Sequence, residues 1–135
     1  MKKLITFFLF LIINISLFAQ TEVFKKSIYF GGGSAYIDAE QIEELNKLIN
    51  SIPNLERYQI SITSHTDNIG GKEYNEWLSK MRSEAVVDEL INGNVPPEQV
   101  YIKDYGQENP LYNNNTHEGR IMNRRVDIIF SPLNL

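Results

Sequence analysis

The sequence contains no cysteine, which excludes disulfide bonds, cysteine-ligated zinc and a thiol nucleophile. Histidine is scarce as well, because only His65 and His117 occur and their separation does not match common metal-ligand motifs. No Gly-x-Ser-x-Gly turn is present to hold a nucleophilic serine. These absences disfavour an enzyme, and no cofactor or metal is expected. The enzymatic alternative is a hydrolase using His65 and Asp67, or a metal site that adds His117.

Basic residues are outnumbered by acidic ones, 13 against 17, so the net charge is -4. Lys2 and Lys3 are the only charged residues among the first twenty, so the remainder of the chain carries two fewer positive charges and a net charge of -6. Nucleic acids and anionic membrane surfaces attract clustered lysine and arginine. We therefore expect no nucleic acid partner.

Long hydrophobic runs are absent except for one, which extends from residue 4 to residue 18 and follows Lys2 and Lys3. A basic start followed by such a run is typical of a secretory signal peptide. Leu17 occupies a position where a small residue is preferred for cleavage, so an uncleaved membrane anchor is the alternative, although a full span takes roughly 20 apolar residues. No cysteine follows the run to carry a lipid. The sequence thus predicts a signal peptide at 1–20 and one domain at 21–135.

Hydrophobic periodicity in the predicted domain alternates between the patterns of strands and helices. Asp38 followed by Gln41 resembles a capping box, and Thr116 is a candidate cap for a short helix. Strands are predicted at 27–30, 58–64, 100–105 and 126–130, and helices at 38–52, from 72–75 to 93, and within 109–125. The order β-α-β-α-β-(α)-β predicts an α+β fold of two layers, with helices on one face of a small mixed sheet.

Several short blocks occur in a fixed order over residues 27–131. They are Phe30-x-x-Gly33-Ser34-Ala35, Ser64-His65-Thr66-Asp67-x-x-Gly70, Asn75-x-x-Leu78-Ser79-x-x-Arg82, Gly106 with Pro110, and Asn115-Thr116-x-x-Gly119-Arg120-x-x-Asn123-Arg124-Arg125-Val126. This ordered set resembles the OmpA-like domain shared by OmpA, MotB and Pal proteins. The resemblance implies a non-enzymatic peptidoglycan-binding domain in the periplasm of a diderm bacterium, associated with the cell wall or the outer membrane.

By the same resemblance, the ligand is the meso-diaminopimelate of the peptidoglycan stem peptide. Its side chain ends in an ammonium and a carboxylate on one carbon. The resemblance implies that Asp67 pairs with the ammonium and Arg82 with the carboxylate, which suits the chemistry of both side chains. It also implies that the pocket around them is lined by Thr66, Asn75, Leu78 and Arg124. Backbone N–H groups of residues 31–33 would approach the ligand, but Gly31 stands where many relatives have an aspartate.

Each of these residues also has a structural interpretation. Asp67 and Arg82 could form an ion pair that fastens a turn to a helix. Asn75 could serve mainly as a helix cap. Arg124 and Arg125 are neighbours, so at most one is expected to face the pocket. A further alternative for the whole domain is an interaction module that contacts other envelope proteins and does not bind peptidoglycan.

Overall fold

A computed structural model describes residues 22–134 as a four-stranded sheet with three α-helices. In chain order the elements are β1 (Phe24–Tyr29), α1 (Ala39–Ser51), β2 (Tyr58–His65), α2 (Lys72–Asn92), β3 (Val100–Gly106), α3 (His117–Asn123) and β4 (Arg125–Pro132). This order confirms the predicted α+β fold. The predicted signal peptide at 1–20 lies outside the described residues. Within 22–134, no helix combines the length and the hydropathy that crossing a membrane requires.

The sheet has the strand order β1-β4-β2-β3, with β4 antiparallel to both of its neighbours and β2 parallel to β3. The last residue of β1, Tyr29, pairs with Arg125 at the start of β4. Near the end of β2, Ser64 pairs with Val126 of β4. The loop after β1, the turn after β2 and the start of β4 therefore meet at one end of the sheet.

The hydrophobic core lies between one face of the sheet and the helices α1 and α2. Alternate residues of β2 and β4 are fully buried on this face, as the period-two pattern predicts. The core side chains of the sheet include Ile28, Ile60, Ile62, Val126, Ile128 and Phe130. The buried side chains of helix α2 differ between its two halves. The second half buries the apolar Val86 and Leu90 in this core, and the first half buries the polar Asn75, Ser79 and Arg82. The start of α2 therefore belongs to a polar site.

Two predicted helix caps are confirmed. Asp38 accepts hydrogen bonds from the backbone N–H of Gln41 at 2.9 Å and from its side-chain amide at 2.8 Å. The same Gln41 side chain pairs with the backbone of Tyr29, which joins α1 to the edge strand. Thr116 caps α3 by accepting from the backbone N–H of Gly119 at 3.0 Å.

Strand β1 starts three residues before the predicted position. Phe24 pairs with Phe130 of β4 and packs on Tyr58, with ring centroids 6.0 Å apart. Lys25 and Lys26 interrupt the apolar alternation and concealed this extension in the sequence. Lysines are common on edge strands, where they discourage pairing with other chains.

Candidate functional site

A cavity of about 240 Å³ opens at the end of the sheet where the loop after β1, the turn after β2 and the start of β4 meet. Five of the six predicted ligand-binding residues line it, namely Asp67, Asn75, Leu78, Arg82 and Arg124. Three of these lie on α2 at positions 75, 78 and 82, a spacing that places side chains on one helical face. The fold thus brings together residues that are up to 57 positions apart in the sequence.

The Arg82 side chain is fully buried and donates to three backbone carbonyls, two in the loop after β1 and one at the end of β2. Its Nε donates to the carbonyl of Ser34 at 2.8 Å, Nη1 to that of His65 at 3.1 Å, and Nη2 to that of Gly31 at 3.0 Å. Its guanidinium carbon also lies 5.1 Å from the centre of the Phe30 ring. A guanidinium has five N–H donors. Among the described residues three of them have acceptors, which leaves one N–H on Nη1 and one on Nη2 without a partner, in a residue that lines the cavity.

Burial lowers the pKa of Arg82 to about 10, because removal from water disfavours the charged form. The negative charge of Asp67 raises this pKa, and the positive charge of Arg124 lowers it further. A guanidinium with this pKa is still protonated at neutral pH. The cavity therefore contains a buried, fixed positive charge.

Asp67 lies in the turn after β2 and is also buried. Its Oδ1 accepts from the backbone N–H of Ile69 at 3.0 Å, which is the bond of an Asx turn. Its Oδ2 accepts from Nη1 of Arg124 at 3.4 Å. Within residues 22–134, the ion pair of Asp67 is thus with Arg124, and the interpretation of Asp67 and Arg82 as an ion pair of their own is wrong.

The adjacent arginines at the start of β4 point to different places. Arg124 faces the cavity, where its Nε donates to the carbonyl of Phe30 at 3.1 Å. Arg125 instead donates to both carboxylate oxygens of Asp127, at 3.1 and 3.0 Å, and to the carbonyl of Met122. The expectation that at most one of the two arginines faces the pocket is confirmed.

Asn75 is fully buried and fastens the Asp67 turn to the rest of the site. Its side-chain nitrogen donates to the carbonyl of Ile69 at 3.0 Å and to Oε1 of Gln107 at 2.9 Å. The N-cap of α2 is Gly71, so the interpretation of Asn75 as a helix cap is wrong. The side-chain oxygen of Asn75 is buried and has no hydrogen-bond partner within residues 22–134. It is therefore an unsatisfied buried acceptor on a residue that lines the cavity.

Thr66 is the predicted ligand-binding residue that is not part of the cavity lining. It is buried, and its hydroxyl donates to the carbonyl of Asp67 at 2.9 Å, while its backbone N–H donates to the carbonyl of Gly106. Thr66 thus supports the turn that carries Asp67. Gly31 contributes its carbonyl to Arg82, and a side chain at this position would have room, because its Cβ would lie 3.8 Å from that of Ser34.

Tyr74 is a lining residue that is not among the predicted ligand-binding residues, because the sequence favours core or rim packing for it over a platform for carbohydrate. Its ring lies so close to Gly70 that a Cβ there would be 2.6 Å away, and its hydroxyl would be 3.1 Å from a Cβ on Gly33. Both glycines have positive φ angles, 102° and 65°, which side chains rarely adopt. The two glycines thus allow Tyr74 to lie across the rim of the cavity. The only sequence signal was its position directly before Asn75.

His65 lies outside the cavity lining and contributes to the site through its carbonyl group. Its ring stacks on Tyr105 with centroids 5.4 Å apart, and its Nε2 lies 3.7 Å from Asp127. Burial lowers the pKa of His65, Arg125 lowers it further, and Asp127 raises it. In the described part of the chain, no three histidine, aspartate or glutamate side chains form a group that could hold a metal ion.

Comparison of the sequence with protein families gives a match to the OmpA family over residues 29–124. Among curated proteins, the chain is 29% identical over 107 residues to the probable lipoprotein YiaD of Escherichia coli, covering 79% of this chain and 49% of that protein. It is 32% identical over 102 residues to the peptidoglycan-binding protein ArfA of Mycobacterium tuberculosis, covering 76% of this chain and 31% of that protein. The chain therefore spans half or less of the length of these two relatives.

Solved structures share the fold. The periplasmic domain of MotB from Helicobacter pylori is similar with a TM-score of 0.66 and 28% identity, over 84% of this chain and 77% of that one. The peptidoglycan-associated lipoprotein from Burkholderia pseudomallei is similar with a TM-score of 0.69 and 26% identity, over 78% of this chain and 90% of that one. Both similarities extend over most of the described residues.

Proposed function

This chain belongs to the OmpA family, and on that basis we propose that it binds peptidoglycan non-covalently in the cell envelope. Two similar proteins support this proposal by their names, one as peptidoglycan-binding and the other as peptidoglycan-associated. Others are named as outer-membrane proteins, which supports a periplasmic location next to the wall or the outer membrane. The observation that carries the proposal is the cavity in which a buried cation and a carboxylate line the same wall.

The proposed ligand group is meso-diaminopimelate, because its free end carries an ammonium and a carboxylate on one carbon. The two remaining N–H donors of Arg82 can hold the carboxylate, and charge-assisted bonds of this kind are the strong ones. The Asp67 carboxylate, which lines the same cavity, can accept from the ammonium. The cavity therefore offers a complementary partner for both charged groups of the ligand.

Electrostatics favour a zwitterion over a simple anion or cation in this cavity. Arg82 and Arg124 carry two positive charges, and Asp67 carries one negative charge. A bound carboxylate would offset part of the desolvation cost of Arg82, because an opposite charge nearby favours the charged form. A lysine-type stem peptide has an ammonium at this place but no carboxylate, so it would leave Arg82 without its anion. We expect discrimination against it for that reason.

We propose binding without catalysis. No residue of the cavity has the arrangement of an activated nucleophile with an adjacent base, as far as residues 22–134 extend. Incubation of the purified full-length chain with sacculi should therefore release no soluble fragments. Release of muropeptides that depends on Asp67 or His65 would show that the protein is an enzyme.

The test of the proposal is a sedimentation assay of the full-length chain on purified sacculi. Walls with meso-diaminopimelate should bind the chain, and walls with lysine in the same position should bind it much less. Asp67→Asn should abolish selective binding, since it removes the charge but keeps an oxygen that can accept from the N–H of Ile69. Asp88→Asn, at an exposed position on α2 outside the cavity lining, is the matched control and should bind as the wild type does.

Equal binding to both walls would contradict recognition of diaminopimelate while leaving peptidoglycan as the partner. A folded wild type that binds neither wall would contradict the whole proposal. The alternative of an interaction module for other envelope proteins would then be favoured.

A further inference from the structure

A row of large apolar side chains lies exposed on α2, directly beside the row that lines the cavity. Its members are Tyr74, Trp77 and Met81, which are 41%, 55% and 37% exposed. Their spacing of three and four residues places them on one helical face. Large apolar side chains grouped on a surface are informative, because they commonly mark a binding site. Trp77 is also the only tryptophan in the chain.

This exposed row is continuous with the cavity. Tyr74 lines the cavity, and its ring centroid lies 5.8 Å from that of Trp77, with the two ring planes 37° apart. A polar boundary follows on the far side, where Lys80 pairs with Glu84 at 4.0 Å. From Tyr74 to Met81 the helix rises by roughly 10 Å, at about 1.5 Å per residue. The exposed row therefore extends the cavity wall along α2 and ends beside charged side chains.

We propose that Tyr74 and Trp77 form a subsite for a sugar ring of the glycan strand. This inference rests on the proposed binding of the stem peptide in the cavity. The stem peptide is attached to a sugar, and two amino acids separate diaminopimelate from that attachment. Two extended residues span roughly 7 Å, so the sugar would lie outside the cavity, within reach of the Tyr74 and Trp77 rings that adjoin it.

The chemistry of the row suits a sugar better than a charged group. The faces of a pyranose ring present C–H groups, which pack well on flat aromatic rings. Tyrosine and tryptophan supply large, rigid contact areas at low cost in conformational entropy. The row itself has no charged member, so it offers no opposite charge to a phosphate or a carboxylate. The glycan end of the ligand is therefore the part expected on Trp77.

The experiment compares two soluble ligands of the full-length chain: a tripeptide ending in meso-diaminopimelate, and the same tripeptide carrying its disaccharide. The disaccharide form should bind about five- to tenfold more tightly, as expected for one aromatic stacking contact. It should also change the fluorescence of Trp77 more than the bare tripeptide does. Trp77→Ala should remove the difference in affinity while leaving the affinity for the bare tripeptide unchanged.

Two further variants make the test specific. Trp77→Phe keeps an aromatic ring and should retain part of the gain from the disaccharide. Tyr101→Ala removes a tyrosine that is 56% exposed on β3, outside the cavity lining, and should behave as the wild type does.

The outcomes separate this inference from the proposed function. Equal affinity of the wild type for both ligands would overturn the sugar subsite but not the pocket. A gain from the disaccharide that persists in Trp77→Ala would also overturn it. Failure of the wild type to bind either ligand would overturn the proposed function and the subsite together.

Discussion

Replacement of Arg82 by lysine should destabilise the whole domain, although it conserves the charge. The guanidinium reaches the carbonyl groups of Gly31 and Ser34 in the loop after β1 and that of His65 at the end of β2. A lysine ammonium is a compact charge at the end of a flexible stem and does not reproduce a planar fork of donors. We expect it to keep one of the three hydrogen bonds and to lose the other two.

The size of the effect follows from the burial of these carbonyl groups. A buried acceptor that loses its donor lowers the free energy of unfolding by about 1–3 kcal/mol. The His65 acceptor is buried, whereas the bonds to Gly31 and Ser34 are only partly buried, so water can replace part of what is lost there. Two lost bonds should therefore reduce the free energy of unfolding by about 2–4 kcal/mol. That is a large share of the roughly 5–15 kcal/mol typical of a domain.

Urea unfolding followed by circular dichroism measures this change directly. The midpoint should fall while the slope of the unfolding free energy against urea stays constant, because the surface exposed on unfolding is unchanged. Arg57→Lys is the matched control, since Arg57 is exposed, and it should stay within about 0.5 kcal/mol of the wild type. An Arg82→Lys variant as stable as this control would refute the structural role assigned to Arg82.

Gly119→Ala should lower the melting temperature by several degrees, because a Cβ there would lie 1.9 Å from the carbonyl oxygen of Asn113. Gly32→Ala is the control: a Cβ at that position meets no atom within 4 Å, so the melting temperature should be nearly unchanged. Equal melting temperatures for the two variants would contradict this packing. Stability should also decrease as the pH falls below about 6.5. The pKa of His65 is lower in the folded state than its ordinary value of about 6.5, so the unfolded chain takes up this proton more readily than the folded one. The stability that neutral His65 contributes is therefore complete above about pH 6.5 and is lost as the pH falls towards the folded-state pKa. His65→Gln should flatten this part of the pH profile in urea unfolding, and an unchanged profile would exclude His65 as its source.

Local signals explain why much of the fold could be predicted from the sequence. The alternation in β2 and the caps at Asp38 and Thr116 depend on residues close together in the chain. The start of β1 was missed because pairing with β4, not local hydrophobicity, determines where it begins. Local patterns therefore determine the elements, and tertiary pairing adjusts their ends.

The candidate site was predicted less completely, because its contacts join distant segments. The bond from Arg124 to Asp67 connects residues 57 positions apart, and no periodicity indicates it. The three acceptors of Arg82 are backbone carbonyls, which leave no trace in side-chain identity. The family resemblance identified the residues, but it could not show that Arg82 supports the fold as well as facing the cavity.

The two roles of Arg82 affect what its presence in a related sequence means. A relative that lost its ligand would still need this arginine to hold the loop after β1 and the end of β2 against α2, so selection for folding alone would retain it. Asp67 has no comparable duty beyond its own turn and its pair with Arg124. Among related sequences, we therefore expect the aspartate to be the better marker of a pocket that binds the proposed ligand, and an arginine without the aspartate to indicate a fold kept without ligand binding.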